Sequence, residues 1–149
     1  MLVEIQALVA DGNTSHPKRL ATGIDSNRLA LLLAVLQRHG NLALGPEDVF
    51  ANVVGGLRIS ETAVDLPALI AIVSSFRNKP CRERLVSFGE IGLAGEIRPV
   101  RFGEERIKAA AKQGFTHAIV PQANVPKKSP EGIRVTGVKR VSDALDEAF

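Results

Sequence analysis

Eight apolar residues follow one another from Leu29 to Leu36, between Asp25 and Arg38. Leu29, Leu32, Leu33 and Leu36 fall at i, i+3, i+4 and i+7, the stripe of an amphipathic helix. Ala30, Leu31, Ala34 and Val35 then leave almost no polar side, and a helix apolar on most of its circumference must be buried on more than one face. Asp25 or Ser26 supplies the cap expected just before such a run. A chain of 149 residues is one domain at roughly 100–200 residues per domain. Within so short a chain the second covering surface is expected to come from another subunit, which makes Leu31 and Val35 candidate oligomer-interface residues.

The remaining pattern mixes strands and helices. Leu2–Val9 half-alternates, with Glu4 and Gln6 on one face and Val3, Ile5 and Val9 on the other. A turn-rich loop is expected from Asp11 to Thr22. Val49–Val54 reads as a buried strand, turning at Gly55-Gly56 and returning through Leu57–Ile59 as a hairpin. A second helix is expected from about Glu61 or Thr62 to Phe76, with Pro67 tolerable only in its first turn. Strands follow at Leu85–Phe88, Glu96–Arg98, His117–Val120 and Ile133–Thr136, with helices over about Gly103–Gln113 and from Ser142. Without strict βαβ alternation the fold class is α+β, a mixed sheet packed with helices in a single domain.

Composition removes several function classes. Hydrophobic residues make up 45% and charged residues 23%, which places the chain with globular domains rather than disordered ones. No apolar run approaches 18 residues, so no membrane span is expected. The first residues lack a basic segment followed by an apolar one, so no secretory leader is expected. Cys81 is the single cysteine, which excludes an intramolecular disulfide and fits a reducing, cytoplasmic setting. His16, His39, His117 and Cys81 show no close pairing, so no metal site is expected. Gly89, Gly92 and Gly95 match neither a Walker loop nor a dinucleotide fingerprint; a hairpin turn with a bulge accounts for them. Ser60 or Thr62 with Lys108 could form a nucleophile–lysine dyad, but hydroxyl residues ahead of an apolar helix more commonly cap it.

The basic residues are clustered while the net charge is only +3. Lys18-Arg19, Arg77-Lys79-Arg82-Arg84, Lys127-Lys128 and Lys139-Arg140 could form a phosphate-contacting rim or an ordinary solvated surface. All six aromatic residues are Phe, so any nucleic-acid contact is expected through backbone phosphates rather than through a stacking platform.

Several segments together resemble the RadA/Sms-type bacterial DNA repair family. They are Leu2–Val9, Asn27–Leu36, Asp48–Gly56, Phe88–Val100 and Ala123–Lys128. The likeness covers essentially residues 1–149 and is to the carboxy-terminal domain of those proteins, which shares the fold of the Lon protease proteolytic domain. Lon-type proteases carry their serine in a Gly-Pro-Ser-Ala-Gly run. The matching stretch here is Glu61–Asp65, which places Ala63 at the serine and, further on, Glu104 at the lysine. Alanine offers no nucleophile and a carboxylate cannot act as the neutral amine, so the resemblance implies a non-proteolytic domain. An active Ser/Thr–Lys peptidase and a purely structural oligomerisation domain are the alternatives. The family further implies branch migration, hexameric rings and contact with single-stranded or branched DNA, with Lys18, Arg19, Arg28, Lys127 and Lys128 as the candidate DNA-binding residues. No cofactor is implied for this segment. Zinc, ATP and magnesium belong to an amino-terminal zinc-binding segment and a RecA-like ATPase, and this sequence has neither a cysteine quartet nor a Walker loop.

Overall fold

The computed structural model describes residues 2–12 and 15–149. Strands β1 (Ile5–Ala10), β2 (Arg19–Thr22) and β3 (Asp48–Val53) form a first sheet in the order β1-β3-β2. β3 runs antiparallel to β1, with Ala7 opposite Ala51, and parallel to β2, with Ala21 opposite the same residue. The period of two puts Ile5, Ala7, Val9, Ala21, Val49, Ala51 and Val53 on the face that meets the core. Gln6, Leu8, Leu20, Thr22 and Asn52 are exposed on the opposite face.

Two sequence expectations change here. Arg19–Thr22 is a strand rather than loop, its short alternation masked by the turn residues before it. Leu57–Ile59 is not a returning strand. Both edges of β3 are already paired, so a hairpin partner has no edge left to join. Gly55 and Gly56, at φ 92° and 74°, instead carry the chain off the sheet.

Helix α1 (Ser26–His39) is capped as expected, Asn27 N–H donating to the Asp25 carboxylate at 3.1 Å. Its wide apolar surface is covered within the chain, by β2, by α2 (Asp65–Arg77) and by α4 (Val141–Ala148). Val35 is 2% exposed and belongs to the main core. Leu31 packs half-buried against the same core. What the helix leaves to solvent is Ser26, Asn27, Ala30, Ala34, Gln37 and Arg38.

A 3-10 turn, Thr62–Val64, leads into α2, and Pro67 sits at the third residue of that helix, where no intrahelical N–H is needed. A second sheet is parallel: β4 (Leu85–Ser87), β7 (His117–Pro121) and β8 (Arg134–Val138), with β7 central and buried throughout. A small hairpin, β5 (Glu90–Ile91) with β6 (Ile97–Arg98), turns on Gly95 at φ 80°, where a Cβ would lie 2.8 Å from the His39 ring. Helix α3 (Gly103–Lys112) adds Ile107 and Ala110 to a second apolar cluster with Ala63, Phe88, Ala118, Val120 and Ile133. The architecture is mixed α and β in a single domain, with four helices on two three-stranded sheets and a hairpin.

Candidate functional site

One edge strand of each sheet, β1 of the first and β4 of the second, lines a single cleft of about 1520 Å³. Its floor is α2, through Pro67, Ile70, Ala71 and Ser74. At one end stands Arg106, whose Nη2 lies 2.8 Å from Glu61 Oε1 while its Nε donates to the Arg101 carbonyl at 2.9 Å. The same guanidinium lies 5.8 Å from the Phe88 ring centre, a cation–π contact that fixes its orientation.

Ala63 lines this cleft at the head of α2 and is buried. The hydroxyls expected to cap the helix do not do so. Neither the 3-10 turn nor α2 has a side-chain cap, and the residues at those positions are Glu61 and Val64. The backbone instead engages the neighbouring loop, Leu66 N–H donating to the Gly89 carbonyl at 3.1 Å and Gly89 N–H to the Ala63 carbonyl at 3.0 Å. Capping by side chain is unnecessary where tertiary partners take the end groups. Thr62 and Lys108 are both exposed, and neither lines the cleft. Ser60 lines it, but Lys108 does not join it there.

Glu104 is exposed in the first turn of α3, beside a smaller concavity of about 550 Å³ that it shares with Asn124 and Lys127. Asn124 clamps this corner: Val100 N–H donates to its Oδ1 at 2.8 Å and its Nδ2 donates to the Val100 carbonyl at 3.0 Å. A Cβ on Gly103 would come within 2.6 Å of Asn124 Nδ2, so the close approach requires glycine.

The five candidate cations divide. Arg28 is committed inside the fold: its Nε donates to Asp65 Oδ1 at 2.9 Å, and its Nη2 pairs with Oδ2 and donates to the Ile91 carbonyl at 3.1 Å. Arg19 directs Nη2 to the carbonyls of Leu44 and Gly45, at 2.9 and 3.1 Å. Both guanidiniums are engaged within the fold. Lys18, Lys127 and Lys128 are exposed. They sit in different connecting segments, Lys18 just before β2 and the other two between β7 and β8.

Sequence reasoning missed Asp65 and Asn124. The signal for Asp65 was a lone acid opening an apolar helix; Asn124 carried none, because its partner is a backbone group 24 residues away. Among the described residues no group of three or more His, Cys, Asp and Glu side chains could hold a metal ion. No helix among them is long and apolar enough to cross a membrane.

The family model described as "Subunit ChlI of Mg-chelatase" matches residues 32–124, more than half of the chain. A protein named DNA repair protein RadA from Escherichia coli (strain K12) is 60% identical over 145 residues, covering 97% of this chain. Namesakes from Pseudomonas aeruginosa and Bacillus subtilis are 52% identical over all of the chain and 46% identical over 97% of it. The chain spans about a third of the length of these relatives, 32% for the first and 33% for the second. It belongs to the ChlI family and is homologous over 97% of its length to RadA DNA repair proteins.

Proposed function

We propose that this chain is the non-proteolytic, Lon-like scaffold domain of a cytoplasmic DNA repair ATPase, supporting hexameric ring assembly and contacting single-stranded or branched DNA during branch migration. The observation that carries the loss of proteolysis is Ala63. It stands at the head of α2, inside the cleft where a nucleophile would act, with only a methyl group to offer. Thr62 and Lys108 lie outside that cleft, and the carboxylate of Glu104 lines a different concavity. ATP hydrolysis, with its magnesium and the zinc-binding segment, is assigned to the rest of the parent protein, because the relatives are about three times as long. Homology to proteins named for DNA repair supports the DNA role.

DNA contact then rests on Lys18, Lys127 and Lys128, since the fold already occupies Arg19 and Arg28. Replacing the three lysines by glutamate is expected to weaken duplex binding and to flatten the dependence of log affinity on log salt by about 0.9 for each lost phosphate contact. Unchanged affinity and slope would remove these residues from the interface. Incubation with casein is expected to release no peptides; digestion that survives purification and is lost on Thr62→Ala would restore the peptidase alternative.

A further inference from the structure

We infer that the smaller concavity at the head of α3 takes one unstacked nucleobase of a single strand, laid on the ring of Phe102 with its phosphate toward Lys127. The inference rests on the reading of DNA contact given above and names the group that meets the base. Phe102 carries it. Its φ of 61° and ψ of 35° place a bulky aromatic residue in the left-handed region, which glycine or asparagine occupies far more readily. Burial does not offset this strain. The residue is 68% exposed, and of the six phenylalanines it alone is exposed. A strained backbone that holds an apolar ring out in water gains nothing inside the fold, and such positions cluster at ligand clamps.

The surroundings of the ring name its ligand. Phe102 lines the concavity of about 550 Å³ together with Glu104, Asn124 and Lys127. Asn124 is committed to Val100, at 2.8 and 3.0 Å, and holds the wall in place. That leaves an aromatic face, an exposed carboxylate and an exposed ammonium around one space. A nucleotide supplies the complement of each: a π face, an N–H on the edge of every base, and a phosphate.

A subunit contact fits less well, because the core of a protein interface is depleted of charged groups. Phe102 is preceded by Arg101 and followed, past Gly103, by Glu104 and Glu105, all of them exposed. The two carboxylates also fix which way a nucleotide lies. Both line the concavity and repel phosphate, so the backbone keeps to the Lys127 side and the base fills the space. One ring is no platform for a run of bases. It accepts a single base, and only one already out of its stack, so the site tells single strands and junctions from intact duplex.

The test uses the full chain with three fluorescein-labelled DNAs of equal length: a single strand, a duplex, and a strand of abasic nucleotides that keeps the phosphates and lacks the bases. Phe102→Ala is expected to weaken single-strand binding by about tenfold, the effect of one lost stacking contact. The salt slope should not change, because no phosphate contact is removed. Affinity for the duplex and for the abasic strand should match the parent's, and Phe102→Trp should restore single-strand binding. Phe102→Gly relieves the backbone, so its urea midpoint is expected at or above the parent's while its binding falls as in Phe102→Ala. The proposal is overturned if Phe102→Ala binds the single strand as the parent does, or loses duplex and abasic binding equally. A lowered midpoint in Phe102→Gly would make the ring structural and overturn it as well. So would sedimentation in which Phe102→Ala alone dissociates an assembly of the parent, which would assign the ring to a subunit contact. A parent chain that binds none of the three DNAs removes DNA contact altogether, whereas binding that Phe102→Ala leaves intact removes only this inference.

Discussion

Two polar side chains are buried among the described residues, Asp65 at the head of α2 and His117 at the start of β7, and they are held in opposite ways. The Asp65 carboxylate accepts from Arg28 through both oxygens and from Ile91 N–H at 3.0 Å, so one group ties α1, α2 and the β5 hairpin together. The bond to Asp65 is also the main reason the Arg28 guanidinium is pushed above its usual range, with burial opposing it. His117 has only Thr136 Oγ1 at 3.0 Å and Glu147 Oε1 at 3.5 Å. Burial, then Arg82, pushes its imidazole below the usual 6.5, and Glu147 only partly offsets this. The fold completes the set of partners around Asp65. Around His117 the set is left incomplete, and burial there favours the neutral imidazole.

The largest effect expected from this contrast is at Asp65. Asp65→Ala leaves Arg28 without its counter-ion and the Ile91 amide without an acceptor. Breaking a buried pair costs about 3–5 kcal/mol, and because the Arg28 side chain is 25% exposed the lower end applies, about 3 kcal/mol. Urea unfolding should show this as a reduced midpoint at constant slope. The pair Arg28→Met with Asp65→Leu should recover most of the loss, since an apolar replacement of a buried pair is often nearly neutral. About 1 kcal/mol should remain missing for the Ile91 amide. If Asp65→Ala unfolds at the parent's midpoint, the clasp is not structural and Arg28 returns as a candidate for phosphate.

The same contrast marks what could be read from the chain. Periodicity located α1 and α2, because Leu29, Leu32, Leu33 and Leu36 or Leu66, Leu69, Ile70 and Val73 announce buried stripes whatever covers them. It could not say what covers them. The breadth of the α1 stripe pointed to a neighbouring subunit, and the cover turned out to be β2, α2 and α4 of the same chain. Pairing was likewise hidden: the chain returns after Gly55-Gly56, but only the assembled sheet reveals that β3 has no edge to spare. Ala63 and Glu104 could be singled out from the sequence because whether a residue carries a hydroxyl or an amine is a property of the residue itself. The roles of Arg19 and Arg28 were not, since a cation that meets a carbonyl or carboxylate 25 or 37 residues away looks identical in sequence to one that faces solvent.

A smaller effect is expected on the His117 side. Thr136→Val removes the hydroxyl that meets Nε2 and donates to Glu147 Oε1, and keeps the volume; the short bond dominates and should cost about 1 kcal/mol. That is about a third of the Asp65→Ala value, and the ratio is the measurable form of the comparison. Equal losses at the two sites would mean that partner number does not set how firmly these groups are held.

The smallest effect is the response of the His117 site to pH. The folded state holds His117 below the ordinary 6.5, so near and below that pH the unfolded chain takes up the proton more readily. The favourable contribution is therefore complete above about pH 6.5, declines as the pH falls through that value, and stops declining below the folded value. Arg82 and Arg134 both disfavour the imidazolium, and Glu147 favours it. Glu147→Gln should therefore extend the decline to lower pH, while His117→Gln should remove it. The measurement is the difference in unfolding free energy between each variant and the parent from pH 7.5 to 5.5, where His16 and His39 cancel. A parent chain that gains stability on acidification relative to His117→Gln would require the imidazolium to be the favoured buried form, and His117 would no longer count as incompletely partnered.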